Sequence, residues 1–213
     1  MFTSDADDLR PLLEKAAAGD ADGWRQLVER CQPRLRRMVA LRLDPRLRGR
    51  VGASDVLQEA YLEASRQLAG YLRDPPLPFY LWLRRLAGAR LYKLHRHHLG
   101  AQMRAAGREQ SIDCGPVPGA SSAALAARLL GREERPSEAA QRAERRRRLQ
   151  QALEQLDPVD REVLALRHFE QLTVPEAARE LSISEAAAAK RYLRALGRLR
   201  EFLVRSPGGG SET

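Results

Sequence analysis

The sequence contains no asparagine and only three lysines, Lys15, Lys93 and Lys190, so almost all of its positive charge is arginine. Aromatic residues make up 5% of the chain and β-branched residues are sparse, which all but excludes a β-sandwich. Two cysteines, Cys31 and Cys114, make neither a disulfide framework nor a zinc quartet. They read as two free thiols in a reducing cytoplasm. No apolar run approaches the ~20 residues needed to span a bilayer, so no membrane partner is expected. Residues 1–20 are acidic and polar, so no secretory signal is expected either.

What is present is helix-forming. Ala, Leu, Arg and Glu dominate the 213 residues; 43% are hydrophobic and 31% charged, a globular composition. The formal charge of +9 suggests an anionic partner. Arginine in place of lysine and the absence of asparagine also follow from a GC-rich genome, so the placement of the charge says more than its sum. Three textures divide the chain. Residues 5–108 read as a run of helices. Residues 109–140 are rich in Ser, Gly and Pro and read as a linker, with a short helix near 122–130. Residues 141–205 are helical again, and 206–213 form a Gly-rich tail expected to be disordered. The expected fold is all-α: two small helical domains joined by a flexible tether.

In the first domain, Trp24, Leu27, Val28, Cys31, Leu35, Met38 and Val39 recur at spacings of three and four, the mark of one buried helical stripe. Asp44-Pro45 breaks that helix. Ser54 offers an N-cap to the next, through Val56, Leu57, Ala60, Tyr61, Ala64 and Leu68. After Pro75-Pro76-Leu77-Pro78 a long helix is expected over 79–104. From Pro75 to Arg108 there is no acidic residue, while Arg84, Arg85, Arg90, Lys93, Arg96, Arg104 and Arg108 interleave with Phe79, Tyr80, Trp82 and Tyr92. Cations that follow phosphates and rings on which bases stack are what single-stranded nucleic acid requires. The plainer alternative is that Trp82, Leu83, Leu86 and Leu91 are core and the arginines a solvated face, although a solvated face normally mixes signs. His95, His97 and His98 lie near one another, yet no carboxylate close in sequence completes a metal site; no metal and no cofactor is expected.

In the second domain, Asp157-Pro158 opens a helix with a capping Asp and a first-position Pro. Thr173-Val174-Pro175-Glu176 is a capping box. The short helix it opens ends at Leu181, the turn Ser182-Ile183-Ser184 follows, and a longer helix starts at Glu185: a helix-turn-helix pattern. Ala188, Tyr192, Leu196, Leu199 and Leu203 form its expected apolar stripe. Lys190, Arg191, Arg194 and Arg198 lie on the other side, and the small residues Ala186 and Ala187 after Glu185 let the backbone approach a groove floor. A plain amphipathic bundle remains the alternative to this pattern taken alone.

The chain resembles the sigma-70 family of bacterial RNA polymerase initiation factors, in its short two-domain extracytoplasmic-function branch, over residues 9–204. Four motifs carry the resemblance: Ala18-Gly19-Asp20 with Trp24 and Leu27; Asp55-Val56-Leu57-Gln58-Glu59-Ala60-Tyr61; the stretch 79–96 with Trp82-Leu83 and Leu86-Ala87; and Leu153-Glu154-Gln155-Leu156-Asp157-Pro158 followed by Arg161, Leu164 and the helix-turn-helix. Ser54-Asp55, Phe79-Tyr80-Leu81-Trp82 and Arg191-Tyr192-Leu193-Arg194-Ala195-Leu196 also resemble planctomycete-type members. The resemblance implies a cytoplasmic transcription factor that directs core RNA polymerase to promoters. Asp55, Leu57, Gln58, Glu59 and Tyr61 would bind the polymerase β′ clamp helices. Phe79, Tyr80, Trp82, Arg84, Arg85, Lys93 and Arg96 would melt the promoter and hold single-stranded DNA. Thr173, Glu185, Ala186, Ala187, Lys190, Arg191 and Arg194 would meet duplex DNA. The β flap and an anti-sigma factor are further implied partners. Ala89, Lys93 and Ala189 depart from the residues common in the family at those places. A stand-alone helix-turn-helix regulator would need a dimer on a palindrome. An enzyme is not expected, because no Gly-rich phosphate loop, catalytic triad or metal spacing is present and no catalytic residue is assigned.

Overall fold

The computed structural model describes residues 5–47, 49–103, 117–131 and 139–205, and every regular element among them is helical. The chain divides into two compact units, Met1–Pro118 and Gly119–Thr213.

The first unit contains α1 (Asp5–Ala17), α2 (Ala21–Arg42), a 3₁₀ turn (Pro45–Leu47), α3 (Ala53–Arg73) and α4 (Phe79–Met103). Gly19, at φ +82°, takes the left-handed turn that ends α1, and Asp20 caps α2 by accepting the Asp22 N–H at 2.9 Å. The expected α2 stripe is buried at Leu27, Cys31, Leu35, Met38 and Val39, with Trp24 and Val28 half-buried. It meets Val56, Leu57, Ala60 and Ala64 of α3 and Leu81, Leu83, Ala87 and Leu91 of α4 in one core. Burial holds the Cys31 thiol up at about 12, so it is an inert core group.

The start of α3 differs from the Ser54 cap expected from sequence. Gly52 is the cap residue, and its N–H donates to Asp55 Oδ2 at 2.8 Å; the Ser54 hydroxyl instead accepts from Arg36 at 2.8 Å. Gly88 lies inside α4, where glycine costs helix stability. Its reason is contact: a Cβ there would fall 2.4 Å from Cγ2 of Val117, which is seated on the helix at this point.

The second unit contains α5 (Ser122–Leu129), α6 (Ala139–Glu154), α7 (Pro158–Leu164) running into a π turn (Ala165–Phe169), α8 (Val174–Leu181) and α9 (Glu185–Arg205). The short helix expected near 122–130 is present, but it is not a free piece of tether. Ala124, Leu125 and Ala126 are buried, α5 packs on α6, the Ala120 N–H donates to Glu162 Oε2 at 3.0 Å, and Ser121 caps α5. Residues 119–131 therefore belong to the second unit, where the linker composition of 109–140 had placed them in the tether. The tail at 206–213 lies outside the described residues.

Candidate nucleic-acid and protein interfaces

On α3 the expected acidic-amide patch is only partly at the surface. Asp55, Gln58 and Glu59 are exposed, one turn apart on one face. Leu57 is 1% exposed and Tyr61 is half-buried, its phenol pushed up in pKa chiefly by burial. Both point into the bundle, so the expected contact role of Leu57 and Tyr61 is corrected to packing. Leu62, 53% exposed, completes the outer face instead. Sequence reading missed it because a leucine at helical spacing is most simply assigned to a core. Asp55 also caps its own helix, and Glu59 pairs with Arg90 of α4.

On α4 the aromatic residues are mostly internal. Phe79 and Tyr80 are 3% and 1% exposed. Phe79 packs edge-on against Trp24 and Tyr71, and the Arg34 guanidinium lies 3.7 Å from the centre of the Tyr80 ring. Neither can present a ring face to a base, which corrects the expectation for both. Arg84 is fully buried and Arg85 half-buried, so Arg84 also leaves the set of available cations. Lys93 and Arg96 are exposed, as are His97 and His98.

Trp82 is buried as well, at 9% exposed, and so is Tyr71 at 8%, but their setting is different. Trp82 stacks on Tyr71 with centroids 4.4 Å apart and planes 23° apart. The pair floors an open cleft of about 500 Å³ whose other walls include Arg66, Gln67, Arg73 and Pro76. The Tyr71 hydroxyl donates to the Leu77 carbonyl at 3.0 Å, fixing the proline loop above it. The cleft combines two arginines, an aromatic floor and a rigid proline wall. Tyr71, Arg66 and Arg73 escaped the sequence reading because they lie on α3, outside the uncompensated basic run that directed attention to α4.

His95 is a structural tie. It is buried on α4, and its Nε2 accepts the Asp44 backbone N–H at 3.2 Å, so the ring proton sits on Nδ1. Burial lowers its pKa, outweighing the pull of the Asp44 carboxylate. No group of three or more His, Cys, Asp or Glu able to hold a metal occurs among the described residues.

In the second unit the two helices and the turn form as their capping residues dictate. The Thr173 hydroxyl accepts the Glu176 N–H at 3.3 Å while Glu176 accepts the Thr173 N–H at 2.7 Å. Thr173 thus uses its hydroxyl as the cap of α8 and is itself half-buried. Ser182 turns the chain at φ +54°, and Ser184 caps α9 by accepting the Ala187 N–H at 3.2 Å. Glu185, Ala186 and Lys190 are exposed at the start of α9 and Ala187 is half-buried. The buried stripe of α9 is Ala188, Ala195 and Leu199; Leu196 is 39% exposed, with Leu193 at 68% and Val204 at 76%. Ala188 and Leu199 lie in the core as expected and Tyr192 is half-buried, but Ala195 takes the inward place expected of Leu196; the Leu203 side chain lies outside the described residues.

Arg191 and Arg194 of α9 reach back onto α7. The carboxylate of Asp160, its side chain fully buried, accepts Arg194 Nε on Oδ2 and Arg194 Nη2 on Oδ1, both at 2.7 Å. Arg191 Nη1 reaches Asp160 Oδ1 at 2.7 Å and Asp157 Oδ1 at 3.2 Å. The hydrogen bond from Arg194 holds the Asp160 carboxyl below its usual range. The expectation of Arg191 and Arg194 as wholly outward-facing cations is corrected: both are half-committed inside the unit, with side chains 30% and 40% exposed. Lys190, Arg198 and Arg200 are exposed on α9, and α6 adds the exposed Arg145 and Arg146, which the sequence reading passed over although they stand in a run of four arginines.

Residues 146–199 match the family model described as sigma-70, region 4. The whole chain is similar to the ECF RNA polymerase sigma factor SigD of Mycobacterium bovis and of Mycobacterium tuberculosis, 29% identical over 203 residues, covering 95% of this chain and 87% of each relative. Among solved structures, the fold is shared with the structure of CnrH in complex with the cytosolic domain of CnrY, at 23% identity and a TM-score of 0.54, covering 92% of this chain and 97% of that one. No helix among the described residues is long and apolar enough to cross a membrane.

Proposed function

We infer that the chain is an RNA polymerase sigma factor of the extracytoplasmic-function group, which directs core polymerase to promoters and starts DNA-templated transcription. The observation that carries this reading is the pairing, in one chain, of a helix-turn-helix unit matching sigma-70 region 4 with a separate helical unit bearing an arginine-rimmed, aromatic-floored cleft. The likeness to SigD along nearly the full length supports the same reading. The finer placement among planctomycete-type members rests on Ser54-Asp55 and on the segments at 79–82 and 191–196.

The division of labour follows from the surfaces. Asp55, Gln58, Glu59 and Leu62 give α3 a small acidic face with an apolar centre, suited to the β′ clamp helices of polymerase. The cleft receives an unstacked base of the non-template strand. Arg66 and Arg73 take its phosphates, while the base lies against Pro76 and the edge of the buried Trp82–Tyr71 pair that lines the cleft. Unstacking costs a few kcal/mol; a base stacked on protein returns ~1–3 kcal/mol. One or two captured bases therefore suffice to hold a melted edge. Lys93 and Arg96 continue the phosphate track along α4. In the second unit the start of α9, with Glu185, Ala186, Ala187 and Lys190, enters the major groove of the upstream promoter element. Leu193, Leu196 and Val204 leave an apolar strip for a protein partner, the β flap or an anti-sigma protein. The bond-making chemistry belongs to polymerase, and the chain works where polymerase does, in the cytoplasm.

The direct test is run-off transcription over fragmented genomic DNA with core polymerase, with and without this chain, and sequencing of the 5′ ends. The reading expects new start sites that share an upstream element. Start sites identical to those of core polymerase alone would refute it.

A further inference from the structure

We propose that Val117 is a clip: seated on α4 at Gly88, it holds the joint between the two units to Pro118 and Gly119 and keeps the free chain from placing both units on DNA at once. The inhibitory half of the inference rests on the sigma-factor reading; the clip itself does not.

A glycine inside a helix weakens it, so each one asks for a reason. Among the glycines described within helices, Gly70 and Gly197 have open space where a Cβ would stand, and Gly23 lies against Lys15 and Ala16 of α1. Gly88 differs from all three. A Cβ there would lie within 3.2 Å of all three side-chain carbons of Val117, a residue that belongs to no helix. The glycine is thus a hole in the surface of α4, filled by one side chain of the connecting segment. Val117 is suited to the seat. Its β-branched side chain is stiff, and the proline that follows holds its backbone extended.

Val117 and Pro118 belong to the first unit, and Gly119 starts the second. Ala120 is already fixed there, buried and donating its N–H to Glu162 Oε2 at 3.0 Å. With Val117 seated, the joint is Pro118 and Gly119, and the proline ring stiffens half of it. With Val117 released, the joint runs over 104–119 from the end of α4 at Met103. The length of a joint decides what two binding units can do together. One too short to span two sites gives no gain from carrying both units on one chain; one that reaches both raises the effective concentration of the second site by orders of magnitude. Reading two elements separated along a duplex needs independent placement, which the short joint denies. The seat is a single half-buried valine, a contact small enough to be exchanged for others when a partner takes up the connecting segment. Core polymerase is that partner.

The test uses the full chain with dyes on Gln26→Cys of α2 and Gln151→Cys of α6, both exposed and outside the proposed contacts, with Cys114→Ser; Cys31 is buried. Single-molecule energy transfer then reads how freely the two units move. Gly88→Ala drives a Cβ into the Val117 side chain without harming α4, since alanine is the better helix former. Val117→Gly empties the seat and leaves α4 untouched. Both should broaden the dye-distance distribution of the free chain. Both should also raise its affinity for promoter DNA by at least about tenfold, with affinity for a duplex holding the upstream element alone unchanged. Core polymerase should broaden the wild-type distribution to the same width and erase the difference in promoter affinity. Distance distributions that coincide in wild type and both variants overturn the proposal. So does a broadened distribution with no gain in promoter affinity, which would leave Val117 a packing contact without an inhibitory role. If Gly88→Ala does not fold, as circular dichroism would show, Val117→Gly decides alone. If polymerase loaded with the wild type selects no promoter, the sigma-factor reading has failed and the inhibitory half falls with it, while the dye distances still decide whether Val117 clips the joint.

Discussion

Asp55 does two jobs, and a substitution there must separate them. Its carboxylate accepts the Gly52 N–H at the start of α3, and it also faces outward beside Gln58 and Glu59. Asp55→Ala should cost about 1 kcal/mol of stability through the lost cap as well as weakening any grip on polymerase. Leu62→Asp isolates the second job. At 53% exposure Leu62 contributes little to the core, so thermal stability should hold while co-purification with core polymerase falls at least tenfold. Equal recovery of polymerase by Leu62→Asp and wild type would move the docking face elsewhere. Leu125 is the opposite case. It is fully buried and anchors α5 to the second unit. Leu125→Ala should cost about 2–4 kcal/mol and raise hydrogen exchange over 122–129. The two tryptophans, Trp24 and Trp82, are both in the first unit and will not report this loss, so exchange is the measurement to use.

At the scale of elements, α4 is tied to the end of α2 by a single neutral histidine, and that tie titrates. His95 accepts the Asp44 N–H; protonation would turn the acceptor into a donor facing a donor. Burial depresses its folded pKa below the unfolded value near 6.5. Its contribution is therefore complete above about pH 6.5 and is lost as pH falls through the lower folded value. The Asp44 carboxyl, held at about 2 chiefly by its hydrogen bond from Arg46, adds a separate loss between about pH 4 and pH 2. Thermal midpoints should decline below pH 6.5 in the wild type. In His95→Leu they should start lower at pH 8, with the Asp44 N–H left unpaired, and stay flat to about pH 5. Parallel pH curves for the two proteins would show that another group carries the acid limb. These elements also mark what could be read from the chain alone. The caps at Asp157, Thr173 and Ser184 were legible because capping is local, decided within three residues. The inward turn of Phe79 and Tyr80 was not, because a ring beside arginines reads the same whether it faces a base or, as here, Trp24 and Arg34 from α2. The outward place of Leu196 was hidden for a related reason. Ala188 and Ala195 share the buried stripe of α9 with Leu199 while Leu193 and Leu196 face outward, so leucine alone does not locate that core. No local signal announced the π turn at Ala165–Phe169.

For the whole molecule, the question is how a chain of charge +9 avoids binding every stretch of DNA alike. Much of the arginine charge is answered internally: Arg90 by Glu59, Arg147 and Arg148 by Glu144, Arg191 and Arg194 by Asp160. The exposed cations assigned to DNA sit in separate places, Arg66 and Arg73 at the cleft, Lys93 and Arg96 on α4 and Lys190 and Arg198 on α9. No one group alone makes a strong phosphate track. Two weak readers on one chain bind tightly only when both are engaged, through the effective concentration each lends the other. The free chain should therefore bind promoter DNA weakly and core polymerase should raise its affinity sharply. Each phosphate contact contributes about −0.9 to the slope of log binding constant against log salt. Lys190→Ala with Arg198→Ala should make the slope for polymerase loaded with this chain shallower by about 1.8 if both meet phosphates. On the proposed path of the separated strand along α4, Lys93→Ala with Arg96→Ala should do the same on promoters presented as an open bubble and have a smaller effect on closed duplex. Equal slopes for wild type and both double variants would mean that phosphates are met by other residues, with Arg145 and Arg146 of α6 the next exposed cations to replace.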